Sequence, residues 1–326
     1  MKMLITSRSF GDSKEAMSIL EEAGYEVTRY YTTERPLFDP EIFAQMIPDY
    51  DALVIGAEDF PVNLMRRCSN LKIILKPGTG VNNIHIPEAA AQGIKVVAAP
   101  GVNAQAVADL TFGLILACAR KICIGYGDVR NGMWSKNKAM LTGTDVWRKT
   151  VGILGFGNIG KSVAKRAHVF DMTVLSYDPY IAEVPEDFAE FVSLESNVEA
   201  VAARADFLCI HLPLTPETNG MIDRRIMGQM KRGAVIINTS RGGIVNEADL
   251  YDAICSGHLS GAGLDVTEDE PIRPDSPLLT LPQVIITPHI ASYSREASQA
   301  VMITTAENAA RFARGEEIEA RFIMKG

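Results

Sequence analysis

The chain has 326 residues, 47% hydrophobic and 22% charged, with a formal net charge of −8. That length suits about two domains of ~100–200 residues, each able to bury a core. The acidic balance, without any Lys/Arg run, argues mildly against a nucleic-acid surface.

The opening "MKMLITSRSF" reads as a first strand, because its apolar part is too short for a secretory signal. "SKEAMSILEEAG" follows with apolar residues at helical spacing and a stop at Gly24. "EVTRY", "DALVIGA", "LKIILKPG" and "IKVVAAP" are short Val/Ile/Leu runs bounded by Gly, Pro or Asp. Such alternation of strands and helices predicts a parallel sheet covered by helices. The longest apolar run, Leu110–Ala119, falls short of the ~20 residues a membrane span needs, so no membrane partner is expected. A second series starts at "TVGILGFG" and runs through "TVLSYDP", "DFLCIHLP", "AVIINTSRG", "GAGLDV" and "QVIITPHI". These six strand-like runs predict a complete doubly wound sheet. The helical stretches "QAVADLTFGLILACARKI" and "SREASQAVMITTAENAARFARG" lie where the chain passes between the halves, and "RFIMKG" returns to the first. Five scattered cysteines show no CxxC and no Cys/His metal spacing. They fit free thiols in a cytoplasmic protein, with no metal site and no activated nucleophile.

One motif carries chemistry at once. "VGILGFGNIGKSVAKRA" holds G-x-G-x-x-G at Gly155, Gly157 and Gly160, between a strand and an amphipathic helix. Gly155 permits the tight turn, Gly157 leaves room for a pyrophosphate, and Gly160 lets helix and strand pack closely. Backbone N–H groups near Asn158 and Ile159 can bind phosphate at the positive end of the helix. The next strand ends on Asp178, 18 residues beyond Gly160. A carboxylate there accepts from ribose hydroxyls and repels a 2′-phosphate, which favours NAD over NADP.

In an open α/β sheet, ligands sit beyond the carboxyl ends of the strands. The polar residues that follow the later strands are His211, Arg241, Asp265, Glu270 and His289. Oxidation of a hydroxy acid needs a cation for the carboxylate, a proton acceptor near neutrality, and a partner to orient it. Arg241, His289 and Glu270 are those types. Each alone reads as an ordinary surface or loop residue; their arrival on one inferred edge argues otherwise.

The segments "KPGTGVNNIHIPEAAAQGI", "GFGNIGKSVA", "HLPLTPETNGMI", "MKRGAVIINTSRGGIVNEADL", "GAGLDVTEDEP" and "VIITPHIASYSREA" together resemble the D-isomer-specific 2-hydroxyacid dehydrogenases, over about Leu71 to Gly315. The resemblance implies a Rossmann-type NAD-binding domain, residues 102–291, inserted into a flavodoxin-like substrate domain, residues 1–101 and 292–326. It implies a catalytic set of Arg241, Glu270 and His289, and a homodimer. Asp178 resembles the family's ribose-binding acid and Asp265 its nicotinamide contact. Pro213, Thr218 and Thr239 fall at further cofactor positions. Lys76, Gly78, Thr79 and Gly80, with Arg241, fall at the site for a small anionic 2-hydroxy or 2-oxo acid. The wording is nearest to phosphoglycerate dehydrogenase-like members. Lys76 stands where many of these carry Arg, Thr267 where an aromatic residue is common, and a chain ending at Gly326 is expected to lack an appended regulatory domain. Glyoxylate or hydroxypyruvate reduction is the alternative within the family; an NAD-sensing corepressor is the alternative from another class. Phosphite oxidation ranks low, and formate oxidation is disfavoured by the acid at Glu270.

Overall fold

The computed structural model describes residues 1–30, 39–134 and 138–325. The chain forms two compact units, Met1–Asn103 with Ser294–Gly326, and Ala104–Tyr293.

The first unit holds a five-stranded parallel sheet. Its strands are β1 (Lys2–Ile5), β2 (Glu26–Arg29), β3 (Ala52–Val54), β4 (Ile73–Leu75) and β5 (Lys95–Val97), in the order β2-β1-β3-β4-β5. That is the flavodoxin-like order. Alternation along β1 explains its burial on both faces. Met3 and Ile5 pack with Leu20, Ala306 and Ala309, whereas Leu4 packs with Phe43 and Ile74. The helix Lys14–Glu22 begins where Ser13 accepts the Ala16 N–H and is followed by Gly24 at φ +80°. The C-terminal helix Arg295–Ala313 supplies Ala306 and Ala309 to this core, and Ile323 pairs antiparallel with Val97.

The second unit holds seven parallel strands: β6 (Thr150–Leu154), β7 (Thr173–Tyr177), β8 (Val192–Leu194), β9 (Phe207–Ile210), β10 (Val235–Asn238), β11 (Gly261–Leu264) and β12 (Val284–Ile286). Their order is β12-β11-β10-β9-β6-β7-β8, the Rossmann arrangement with one added strand. The sequence reading found six of the seven. The missed one, β8, is a three-residue edge strand whose middle residue, Ser193, is exposed, so it offers no apolar run. Along the central strands, Ile153, Cys209 and Ile237 share a core with Phe112, Ile115 and Val163, residues of the helices Ala104–Ala119 and Asn158–Val169. Leu154, Leu208, Ile210 and Ile236 face the opposite core with Val201, Ile226 and Leu250.

Because every strand runs the same way, all seven carboxyl ends lie on one edge. The chain order reverses between β6 and β9, the switch point where such sheets bind ligands. Among the described residues, no helix is long and apolar enough to cross a membrane, and no cluster of His, Cys, Asp and Glu could hold a metal.

Candidate active site

The glycine turn leaves β6 at the switch point. Gly155 has φ +93°, and a Cβ there would come within 2.6 Å of the His211 carbonyl oxygen. A Cβ on Gly160 would lie 2.1 Å from the Gly155 carbonyl oxygen, so only glycine lets the helix sit this close. Gly157 is the opposite case. A Cβ there meets nothing within 4 Å, and Gly157 caps the helix Asn158–Val169. Open space in front of the first-turn N–H groups of Asn158 and Ile159 is what a pyrophosphate requires. Asp178 closes the turn from β7: its carboxylate accepts from the Phe156 N–H at 2.8 Å and from the Tyr180 N–H at 2.9 Å. Only part of its accepting capacity remains for a ribose.

Beyond β10, Arg241 leaves in an extended conformation. Its guanidinium donates to the Ser240 carbonyl at 2.6 Å, and its own carbonyl accepts from the Asn238 side chain at 2.7 Å. It forms no ion pair with a carboxylate among the described residues. Burial pulls the guanidinium below its ordinary value, while the Glu270 carboxylate opposes that shift. Most of its five donors therefore remain for an anion.

His289 follows β12. Its Nδ1 lies 2.7 Å from Glu270 Oε2, which leaves Nε2 as the ring's outer nitrogen. The residue sits at φ +53°, a left-handed conformation that costs a side-chain-bearing residue about 1–3 kcal/mol and persists only when its surroundings fix it. They do so here through Asp265, which is 1% exposed. One carboxylate oxygen of Asp265 accepts from Thr287 Oγ1 at 2.6 Å and the Ile290 N–H at 2.8 Å; the other accepts from the Ala291 N–H at 2.7 Å. Its main-chain oxygen accepts from the His289 N–H at 2.9 Å. Sequence reasoning assigned Asp265 to the cofactor alone. In the structure its carboxylate also pins the turn that carries His289.

Two more supports escaped the sequence reading. Gly242 packs so tightly that a Cβ would fall 1.8 Å from the Thr267 carbonyl oxygen. Thr267 Oγ1 donates to the Asp269 carbonyl at 2.7 Å, within the turn that carries Glu270. The arginine and glutamate loops are therefore in backbone contact. Glu247 and Glu268 reinforce them, each carboxylate accepting the other's N–H, at 3.0 and 2.6 Å.

The remaining positions divide. Thr239 shares a 2.9 Å hydrogen bond with Thr111, which itself bonds the Val107 carbonyl at 2.8 Å. Thr111 spends its one proton there, so Thr239 donates to Thr111 and keeps lone pairs open. The Thr218 hydroxyl donates to the Pro213 carbonyl at 2.7 Å and accepts from the Thr215 N–H at 2.8 Å, closing the 213–218 loop on itself. Lys76, Gly78, Thr79 and Gly80 belong to the first unit, in the loop after β4. There the Lys76 ammonium donates to the Gly56 carbonyl, Gly78 has φ +154°, and Thr79 Oγ1 donates to Asn103 at 3.4 Å.

Residues 112–291 match the family described as D-isomer specific 2-hydroxyacid dehydrogenase, NAD binding domain. The chain belongs to this family. Its members are NAD-dependent dehydrogenases acting on a CH–OH group. The chain is 38% identical to the D-3-phosphoglycerate dehydrogenase of Methanocaldococcus jannaschii over 98% of its own length, and spans 59% of that protein. It is 37% identical to the hydroxypyruvate reductase of Thermotoga maritima, over 91% of this chain and 94% of the relative. Its fold is similar to that of a crystallised D-lactate dehydrogenase from Aquifex aeolicus, complexed with NAD and lactic acid: TM-score 0.85, 25% identity, 100% of this chain and 99% of that one. The second unit is thus the NAD-binding domain of a D-2-hydroxyacid dehydrogenase family member, and the open space at Gly157 fits that cofactor.

Gly242→Ala in this dehydrogenase-family chain drives a methyl into backbone, where no rotamer change relieves it. We expect a lowered melting temperature by calorimetry and loss of turnover; wild-type values for both would break the proposed contact between the two loops. Glu247 gives a pH-dependent case. Burial chiefly raises its carboxyl, with nearby Glu268 and Asp269 adding to the effect. A raised folded-state value favours the protonated form, so its contribution to stability is present at acid pH and lost as pH rises through that value. Glu247→Gln keeps the acceptor and removes the charge. Its melting temperature should exceed wild type at neutral pH, and the difference should vanish below the ordinary carboxylate range.

Proposed function

We propose that this chain is an NAD-dependent D-2-hydroxyacid dehydrogenase in which Arg241, Glu270 and His289 form the catalytic set. The observation that carries this reading is the 2.7 Å contact of His289 Nδ1 with Glu270, beside an arginine that has no carboxylate partner among the described residues. Bound NAD would supply the hydride acceptor for oxidation at C2 of the hydroxy acid and, reduced, the hydride donor for the oxo acid. His289 Nε2 takes the hydroxyl proton in oxidation and gives a proton to the carbonyl oxygen in reduction. Glu270 fixes the tautomer and orientation of the ring and stabilises the imidazolium. Arg241 holds the carboxylate with its planar fork and polarises the C–O bond. The backbone amides of Gly78 to Gly80 are assigned to the carboxylate as well, and Lys76 to a distal anionic group.

The substrate we favour is of the 3-phosphoglycerate type, supported by the D-3-phosphoglycerate dehydrogenase likeness along nearly the whole chain. Hydroxypyruvate or glyoxylate reduction is the second reading. It is supported by a relative named for hydroxypyruvate that the chain spans almost entirely. We place the protein in the cytoplasm as a homodimer. Support for self-association comes from the helix Ile122–Arg130, which buries none of its residues, and from exposed Tyr126, Val129, Trp134 and Trp147 in the same unit. An apolar surface of this kind is a common mark of an interface.

NADH oxidation against 3-phosphohydroxypyruvate, hydroxypyruvate, glyoxylate and pyruvate tests the activity and separates the substrates. With the best of them, His289→Ala should lower kcat by ~10²–10⁴-fold; near-normal kcat would remove His289 from the proton transfer. Asp178→Asn keeps an acceptor for the glycine turn but loses the charge that repels a 2′-phosphate. The NADP/NAD ratio of kcat/KM should therefore rise, and an unchanged ratio would place Asp178 away from the ribose.

A further inference from the structure

The last residue of β10 governs how Arg241 leaves the strand. Asn238 is 1% exposed, and a buried amide is tolerable only when its donors and acceptors are matched. The matching runs into the next three residues. Asn238 Oδ1 accepts from the Ser240 N–H at 3.1 Å and from Ser240 Oγ at 2.9 Å. Its Nδ2 donates to the Arg241 carbonyl at 2.7 Å. Two donors face one end of the amide and an acceptor faces the other, so only one orientation of the group is satisfied.

These three bonds bracket Arg241. One fixes the peptide that precedes Ser240, and another fixes the peptide that follows Arg241. The Ser240 carbonyl between them is the group on which the guanidinium docks, at 2.6 Å. A single side chain therefore sets both the backbone that carries Arg241 and the acceptor that aims its fork. The main chain of Asn238 ties this loop to the histidine turn. Its carbonyl accepts from the Asp265 N–H at 2.9 Å, and the Asp265 carboxylate holds the N–H groups of Ile290 and Ala291. Arg241 itself sits at φ −142°, ψ 145°, ordinary extended backbone that sterics alone does not single out.

We infer that Asn238 is a positioning residue for substrate: its buried amide holds Arg241 in the exit from which the guanidinium meets the carboxylate. Asn238 touches no ligand and acts through Arg241. A guanidinium released from this exit keeps its charge but loses the two-point geometry that a carboxylate selects, and ordering its long side chain then weighs against binding. The loss falls on the substrate and spares the cofactor, because Thr239, between the two residues, is anchored separately through Thr111. The inference rests on the assignment of Arg241 to the substrate carboxylate.

Asn238→Leu tests it, since leucine keeps the size and branching of the side chain and removes its donor and acceptor. Kinetics are measured with NADH and the best 2-oxo acid, and the dissociation constant of NADH is measured alone. We expect kcat/KM for the oxo acid to fall about 10–100-fold through a raised KM, the scale of a misplaced positioning group, with NADH bound within about twofold of wild type. In an Arg241→Ala background the same change should add less than about twofold, because the group it acts through is gone. Wild-type kcat/KM in Asn238→Leu would overturn the inference. So would a full further loss in the Arg241→Ala background, or an equal weakening of NADH, since each marks general damage to the fold. If the leucine variant does not fold, Ser240→Ala removes one arm of the clamp and is judged by the same criteria, with a smaller expected loss of about threefold. Failure of the underlying assignment looks different. Wild-type turnover by Arg241→Ala removes the arginine from the carboxylate and the role of Asn238 with it; a crippled Arg241→Ala beside an unaffected Asn238→Leu removes the role of Asn238 alone.

Discussion

Asp265 carries the heaviest structural duty at the binding edge. A buried carboxylate is costly unless its charge is compensated and its lone pairs are occupied. Here it is occupied by three donors, Thr287 Oγ1 and the N–H groups of Ile290 and Ala291. All three flank His289, so compensating the charge and shaping the histidine turn are the same act. The left-handed conformation of His289 is tolerable for that reason, because a residue there resists relaxing only when hydrogen bonds on both sides fix it. A water-filled turn would supply no such constraint. The imidazole could then leave Glu270, and the pair to which we assign proton transfer would exist only part of the time.

The same logic joins Arg241 to Glu270 without a direct ion pair. Gly242 and Thr267 touch through backbone, and the crossed Glu247 and Glu268 bonds hold the two loops a few residues away. The guanidinium and the carboxylate feel each other's charge, yet Arg241 keeps donors free. A tight Arg241–Glu270 ion pair would be a poor design for binding an anion, since substrate would have to break it first. Backbone packing positions the two charges, leaving Glu270 to His289 and most of the Arg241 donors open.

Legibility in the sequence followed from how local each requirement is. The turn at Gly155, Gly157 and Gly160 was readable because a backbone constraint selects glycine at fixed spacing. The strands were readable where Val, Ile and Leu ran together, and β8 was not, because an exposed edge of three residues needs no such run. Arg241 and His289 stood out as polar residues just past apolar strands, and Glu270 in the loop beyond Asp265. What could not be read were dependencies between distant segments. Two glycines follow Arg241, but that Gly242 is the one abutting Thr267 depends on a loop 25 residues on. The bond between Thr111 and Thr239 spans 128 residues. Asp265 looked like a ligand contact because an acid at a strand end usually faces a ligand; its donors arrive from the next strand's loop. His211 appeared in the sequence as one more polar residue after a strand, and only the fold shows that both ring nitrogens are buried without a partner among the described residues.

The edge itself acts as a ruler. From β7 to β11 the order runs β7-β6-β9-β10-β11, four steps of ~4.8 Å or about 19 Å before twist. Asp178 stands at one end, Asp265 at the other, and the glycine turn, His211 and Thr239 fall between them one strand at a time. A ligand touching both ends must therefore lie extended across the strand ends and present different chemistry at each step. It meets an acid first, then bare N–H groups, and further along a hydroxyl. A sugar diol and a pyrophosphate match the first two steps in order. A compact ligand of the same polarity would leave most of them unused, so the sequence of groups along the edge argues for a dinucleotide as a whole.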